Sequence, residues 1–226
     1  SAVGPGGSFH VEVDGVDMTG PLAVPETGSW AVMGSAIETG ISLSAGRHVL
    51  RFVVDAGFDG FQSLRIVDAS AAQSPYGGAA RTFPGTVGAA DFDEGGELVS
   101  YHDVTAGCWG SCSGRTSDVD RWDATVYSLS PGEWLEYTVD VTAAGTYTFQ
   151  VRVASVSGGT VFHIEFDGVD VTGPMTIPAT GGWNTFQTIT RGGVSLSAGR
   201  KVMRIVVDQV AGSGTDAGSL DSVTVQ

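Results

Sequence analysis

The chain repeats itself. Phe9-His10-Val11-Glu12-Val13-Asp14-Gly15-Val16-Asp17 returns as Phe162-His163-Ile164-Glu165-Phe166-Asp167-Gly168-Val169-Asp170, 153 residues later. The offset holds without a gap through Ser42–Arg47 and Ser195–Arg200 to Val53-Val54-Asp55 and Val206-Val207-Asp208. Self-similarity at a fixed offset means two copies of one structural unit. The copies differ in extent. The later one has about 80 residues upstream of its repeated half, from near Phe83, and the earlier one has almost nothing before Phe9. Residues 83–226 therefore read as one complete module and residues 1–70 as the second half of another. Residues 71–82, rich in Ala, Ser and Gly, read as a linker.

Within the complete module the hydrophobic period is two. Leu135, Tyr137, Val139 and Val141 alternate with Glu136, Thr138 and Asp140; Tyr147, Phe149, Val151 and Val153 alternate with Thr148, Gln150 and Arg152. Such alternation marks half-buried strands. Turn signals at Ser130-Pro131-Gly132, Ala143-Ala144-Gly145, Ser157-Gly158-Gly159 and Asp167-Gly168 separate them. No segment carries a sustained helical stripe. Many short strands with Gly-rich turns predict an all-β fold, a β-sandwich of jelly-roll type.

Residues 1–70 then face a physical difficulty. They offer strands around Phe9–Asp14, Leu22–Val24, Trp30–Ile37, His48–Val54 and Leu64–Val67, but no counterparts of the strands at 134–141 and 146–153. Half a sandwich leaves apolar face and sheet edge open to water. The piece packs on the complete module, takes strands from another chain or module, or belongs to a longer tandem array.

Composition narrows the function. A net charge of −14 argues against nucleic acid and anionic membrane surfaces as partners. No apolar run is long enough to span a bilayer as a helix. With 42% hydrophobic and only 16% charged residues the chain is no disordered segment. The start Ser1-Ala2-Val3-Gly4-Pro5 carries no signal-peptide pattern, so such a peptide is absent or already removed. Cys108 and Cys112 lie close enough for a disulfide-closed loop, which suits an oxidising, extracellular compartment; two unpaired thiols are the alternative. His-Glu-x-x-His, Gly-x-Ser-x-Gly and phosphate-loop patterns do not occur. Glu12 and Glu165 repeat beside His10 and His163 on the polar face of a regular strand, with no second carboxylate placed across a cleft for glycoside hydrolysis.

Several stretches together resemble family 6 carbohydrate-binding modules and their family 35 relatives. They are Phe83–Asp93, Val99–Asp103, Pro131–Val139, Ala143–Thr148, Gly181-Gly182-Trp183 and Ser195–Arg200, covering nearly all of residues 83–226 in family order. Phe9–Val67 resembles the second half of the same family. The resemblance implies a secreted, non-catalytic, galactose-binding-like sandwich that recognises polysaccharide, commonly appended to a glycan-degrading enzyme. It implies a sugar site in the loops at one end, where a Trp and a Tyr face each other and an Asn hydrogen-bonds the ring. Trp183 matches that Trp and Trp30 is its counterpart in the half copy; Ser219 lies near the expected Asn, with Gln62 in that place in the first copy. The expected Tyr before Arg115 is replaced by Gly114. A structural calcium is also implied, for which Asp221, Asp91 and Asp93 remain, while two family Glu positions hold Gly88 and Ala90. Calcium takes about six to eight oxygens, so that loss weakens the site.

Sugar recognition needs flat aromatic faces and a few polar groups that select among hydroxyls. Trp183 follows two glycines in a loop where a large ring is hard to bury. Trp109, inside Cys108-Trp109-Gly110-Ser111-Cys112, is an indole with little freedom to lose and a replacement for the missing Tyr. Trp122 and Tyr127 bracket a variable stretch, and one of them is expected to line the cleft. Arg115 is a candidate hydroxyl partner. Trp134 opens a core strand and is read as structural. The rival reading is an adhesive or structural repeat that assembles by strand exchange or module stacking.

Overall fold

The computed structural model describes residues 6–27, 34–57, 60–67, 72–112, 114–211 and 217–226. The chain divides into two compact units, Ser1–Arg65 and Ile66–Gln226.

In the first unit the described strands are Ser8–Val13 (β1), Val16–Asp17 (β2), Leu22–Ala23 (β3) and Leu50–Ala56 (β4). β1 pairs with the other three, all antiparallel. Opposite pairs in such a ladder point the same way. Phe9 faces Val54, Val11 faces Phe52 and Val13 faces Leu50, so one apolar face crosses both strands. Val11, Val13 and Val24 are buried, whereas Leu50 and Val54 are exposed.

The second unit has fourteen described strands. Arg81–Phe83 (β5), Gly85–Gly88 (β6), Tyr101–His102 (β7), Gly110–Ser111 (β8), Arg121–Trp122 (β9) and Thr125–Val126 (β10) come first. Trp134–Val141 (β11), Gly145–Ser155 (β12), Val161–Phe166 (β13) and Val169–Asp170 (β14) follow. Met175–Thr176 (β15), Gly182–Leu196 (β16), Gly199–Gln209 (β17) and Ser219–Val225 (β18) complete it. One sheet runs β16-β12-β18-β10-β9-β8 with β6 on β18; the other runs β14-β13-β17-β11-β5 with β15 on β13 and β7 on β11. Their inner faces share a single core that includes Phe83, Phe92, Tyr137, Phe149, Phe162, Ile164, Met203, Ile205 and Leu220. This is the all-β jelly-roll sandwich that the period-two pattern predicts. The Tyr137 hydroxyl donates to the Ala89 carbonyl at 2.8 Å, which satisfies the one polar atom of that ring in the core.

Two expectations need correction. Residues 72–82 are not a free linker. Ser74 and Glu94 exchange backbone hydrogen bonds at 3.0 and 2.8 Å, Gln73 Nε2 donates to Asp93 at 2.8 Å, and β5 pairs in parallel with Val139–Val141. The stretch covers the open side of β11, which an unpaired edge would otherwise expose. In the first unit, neither residues 34–37 nor Leu64–Val67 form a strand. Their counterparts in the second unit lie in the long strand β16 and at the start of β18, and both strands pair with β12. The first copy has no sequence equivalent of β12, and a strand without a neighbour has nowhere to place its backbone hydrogen bonds. Trp30 and the start of that expected strand lie outside the described residues.

The repeat thus places equivalent residues in unequal surroundings. Met203 is wholly buried, while Leu50, its counterpart, is 41% exposed. Met203→Ala is expected to destabilise the second unit by about 2–5 kcal/mol. Leu50→Ala should change the first by no more than about 0.5 kcal/mol. Denaturant melts resolved by amide exchange in each unit check this, and equal losses at both positions would contradict it.

Candidate carbohydrate-binding end

A continuous transverse row crosses the first sheet of the second unit. Gly182 lies opposite Ser155, Ala154 opposite Ser219 and Val153 opposite Leu220. Leu220 then faces Val126, Val126 faces Arg121, and Arg121 sits beside Gly110. Four aromatic residues are chain neighbours of this row: Trp183 of Gly182, Tyr127 of Val126, Trp122 of Arg121 and Trp109 of Gly110. The register therefore brings the four sequence-predicted aromatics to one end of one sheet. Five strand spacings, about 4.8 Å each, separate the outermost pair. Trp109, Trp122 and Trp183 are 63%, 55% and 50% exposed. Tryptophan is highly buried on average, so three half-open indoles along one sheet end leave an unusual amount of aromatic surface open to solvent.

Short-range chemistry holds the loop aromatics. Cys108 and Cys112 are joined in a disulfide. The Trp109 N–H donates to Asp120 at 2.6 Å, and its carbonyl accepts from the Arg121 N–H at 3.2 Å. The Gly107 N–H donates to Asp118 at 2.7 Å. Gly110 has φ +111°, and a Cβ there would lie 2.4 Å from the Arg121 carbonyl oxygen. Only glycine fits between Trp109 and its neighbouring strand. The Tyr127 hydroxyl donates to Asn184 Oδ1 at 2.9 Å, tying β10 to the start of β16. Asn184 is an exposed polar group beside Trp183 that the sequence reading passed over; its only signal was its place directly after that Trp.

Other candidates do not belong to this surface. The Arg115 guanidinium donates to the carbonyls of Ala90, Phe92 and Asp93 at 3.1, 2.5 and 2.8 Å, and lies over the Phe92 ring at 3.8 Å. Burial pulls its pKa down, and the side chain is only 5% exposed. It is a structural clamp, since its donors are consumed by backbone. Ser219 is wholly buried opposite Ala154, its hydroxyl enclosed without a hydrogen-bond partner, so it cannot take the role of the expected Asn. Gln62 is exposed in a stretch without strand structure. Trp134 stays structural, stacked under Arg204 at 4.6 Å.

The residues remaining for calcium do not fit that ion. Asp93 is buried and accepts from Gln73, from the Thr138 N–H at 2.9 Å and from the Thr138 hydroxyl at 2.5 Å. Asp91 pairs with Arg81 at 3.2 Å and Asp221 with Arg152 at 2.8 Å. Each carboxylate is committed to a separate partner. Among the described residues no three His, Cys, Asp or Glu side chains converge as ligands.

Comparison with known proteins decides the family. Residues 90–225, more than half of the chain, match the family described as carbohydrate binding module (family 6). The chain belongs to that family. A stretch of 60 residues is 38% identical to the β-agarase AgaA of Microbulbifer thermotolerans, covering 26% of this chain and 14% of that protein. Another of 83 residues is 35% identical to an isomaltosyltransferase of Sporosarcina globispora, covering 37% and 7%. The chain thus spans well under a quarter of the length of either relative. Among solved structures, the module CBM6cm-2 of Cellvibrio mixtus lichenase 5A, in complex with cellotriose, is 26% identical with a TM-score of 0.44, covering 63% of this chain and 95% of that one. A β-1,3-glucan-binding CBM6 from Bacillus halodurans is 19% identical with a TM-score of 0.46, covering 66% and 99%. The family 6 module is a non-catalytic carbohydrate-binding sandwich.

This module also buries acid. Asp103 and Glu133 line a water-sized cavity together with Val119, Leu129 and Trp134, and Asp120, next to Val119 in the chain, is also under 10% exposed. Burial pushes Asp103 up to about 6, and burial raises Asp120 and Glu133 as well. A carboxyl whose folded pKa is raised stabilises the fold fully below its ordinary value near 4 and loses that contribution as pH climbs through the folded value. For Asp103 the contribution is about 3 kcal/mol at most. At the acid end Asp140, held down by its hydrogen bonds to Arg200, loses its stabilisation as pH falls below about 4. Melting temperature should therefore peak near pH 4–5 and decline toward pH 7. Asp103→Asn should flatten the limb between pH 5 and 7; a wild-type melting temperature that rises across that limb would refute the assignment.

Proposed function

We propose that the module binds neutral polysaccharide by stacking sugar rings on Trp183, Trp122 and Trp109, with Tyr127 and Asn184 meeting the hydroxyls between them. The observation carrying this reading is the transverse row that sets three half-exposed indoles at one end of a rigid sheet. Indole faces match the apolar C–H face of a pyranose. The Asn184–Tyr127 pair offers an amide N–H₂ donor and a phenolic acceptor beside Trp183. Holding these groups in place before binding saves conformational entropy. A net charge of −14 disfavours anionic glycans such as alginate or carrageenan. Galactans and glucans come first as candidates, since a matched relative is called a β-agarase and a similar structure holds cellotriose. An extracellular setting, as part of a glycan-acting enzyme, fits the family and the disulfide.

Calorimetry against agaro-, cello- and laminari-oligosaccharides tests this reading. Trp183→Ala, Trp109→Ala and Trp122→Ala are each expected to weaken binding about tenfold or more with little change in stability. Arg115→Ala should instead destabilise the fold. Unchanged affinity in all three tryptophan variants would overturn the site, and tight binding of carrageenan at low salt would overturn the preference for neutral glycans.

A further inference from the structure

We propose that the open edge of β4 in the first unit is an acceptor site for a β-strand of the β11 kind, supplied by a module first half other than the one in this chain. The chain contains its own control. In the second unit β17, the counterpart of β4, pairs with β13 on one side and with β11 on the other. In the first unit β4 pairs with β1, and no partner lies on its other edge among the described residues. The apolar positions respond accordingly. Met203 and Val207 are 0% and 3% exposed beside β11, whereas Leu50 and Val54 are 41% and 55% exposed.

Charge points to the same occupant. Arg204 bonds to Glu136 of β11 at 2.7 Å, pairs with Glu165 at 3.5 Å and stacks on Trp134. Its counterpart Arg51 holds only the repeated half of that cluster, Glu12 at 2.8 Å, and its side chain is 66% exposed. Arg200 makes two hydrogen bonds to Asp140 of β11, at 3.0 and 2.9 Å. Its counterpart Arg47 has no ion pair among the described residues. The edge of β4 thus asks for a strand with Trp, Glu and Asp spaced as Trp134, Glu136 and Asp140 and with apolar residues between them. Residues 34–43 ask for the next strand as well, since their counterpart β16 is built on β12. The occupant is a hairpin of the β11–β12 type. This chain's own β11 cannot serve, because β17 takes one edge while β5 and β7 take the other. A second copy of the chain would have to open its own sandwich to donate it.

The test joins an added copy of residues 78–160 ahead of residue 1 of the full chain. Amide exchange across Leu50–Ala56 is expected to slow by at least about 100-fold, with new protection at residues 34–43. Arg51→Glu in the fused chain should lower that protection about tenfold or more, and Glu136→Arg in the added copy should restore it. A soluble fusion without new protection overturns the proposal. So does light scattering that finds the unmodified chain dimeric with Leu50–Ala56 already protected, which makes a second copy the occupant. If the fusion aggregates, the tagged 78–160 segment co-expressed with the full chain decides: co-purification lost on Arg51→Glu supports the proposal, and no co-purification overturns it.

Discussion

The ladder between β11 and β17 is what the molecule depends on, because a β-strand gains its stability from its neighbours and hardly at all from itself. In the second unit that ladder runs over eight residue pairs, from Trp134 opposite Val206 to Val141 opposite Gly199. It closes the backbone hydrogen bonds of β17, puts Leu135 and Tyr137 next to Ile205 and Met203, and brings Glu136 under Arg204. Fully burying each such apolar side chain contributes about 1.5–3 kcal/mol. The first unit carries nearly the same sequence in β4 with no such partner strand among the described residues, and Leu50 and Val54 stay exposed. Sequence similarity therefore delivered the local elements twice and the sandwich once.

The binding end follows from the same sheet logic. Strands β12, β16 and β18 form a wide regular platform, and β10, β9 and β8 extend it by two residues each. Short strands at a sheet edge fix a side chain's height and direction without burying it. Trp122 and Trp109 are displayed in this way, while Trp183 sits at the mouth of the longest strand. Functional groups on loops become accurate when a rigid scaffold positions them.

Legibility in the sequence varied with the range of the interaction. The period-two alternation of β11, β12 and β13, the turns between them and the repeat could all be read along the chain, because each is local. The exposure of Trp109 and Trp183 was legible for the same reason, since indoles beside glycines or in a closed loop are awkward to bury; Trp122 has neither neighbour, and its exposure follows from its place on the short strand β9. Arg115 misled, since a charged residue in a polar loop gives no hint that three carbonyls from residues 90–93 will converge on it. Ser219 failed for a related reason; its burial is set by the β12 ladder, some 65 residues away in the chain. Asn184 and Tyr127 become partners only when β16 and β10 reach the same end of the sheet. Strand loss at Leu64–Val67 was the hardest to see, because Leu, Ile and Val suit a strand and the sequence of the first copy holds no counterpart of β12 for them to pair with.

Buried carboxylates are a costly way to shape a loop, and their placement shows why they are used here. Asp103 accepts the Thr105 N–H and hydroxyl, both at 2.8 Å; Glu133 accepts the Ser130 N–H at 2.8 Å; Asp120 accepts the Trp109 N–H. Each satisfies backbone donors in a stretch that has few ladder hydrogen bonds of its own. Aliphatic residues in these positions would pack as well but would leave those N–H groups orphaned, at about 1–3 kcal/mol each. Burial raises all three carboxyls, Asp103 to about 6, and a protonated carboxyl still keeps one carbonyl oxygen to accept a hydrogen bond. The loop that presents Trp109 is tied to this set through Asp120, which keeps an oxygen free to accept the Trp109 N–H whether it is ionised or protonated.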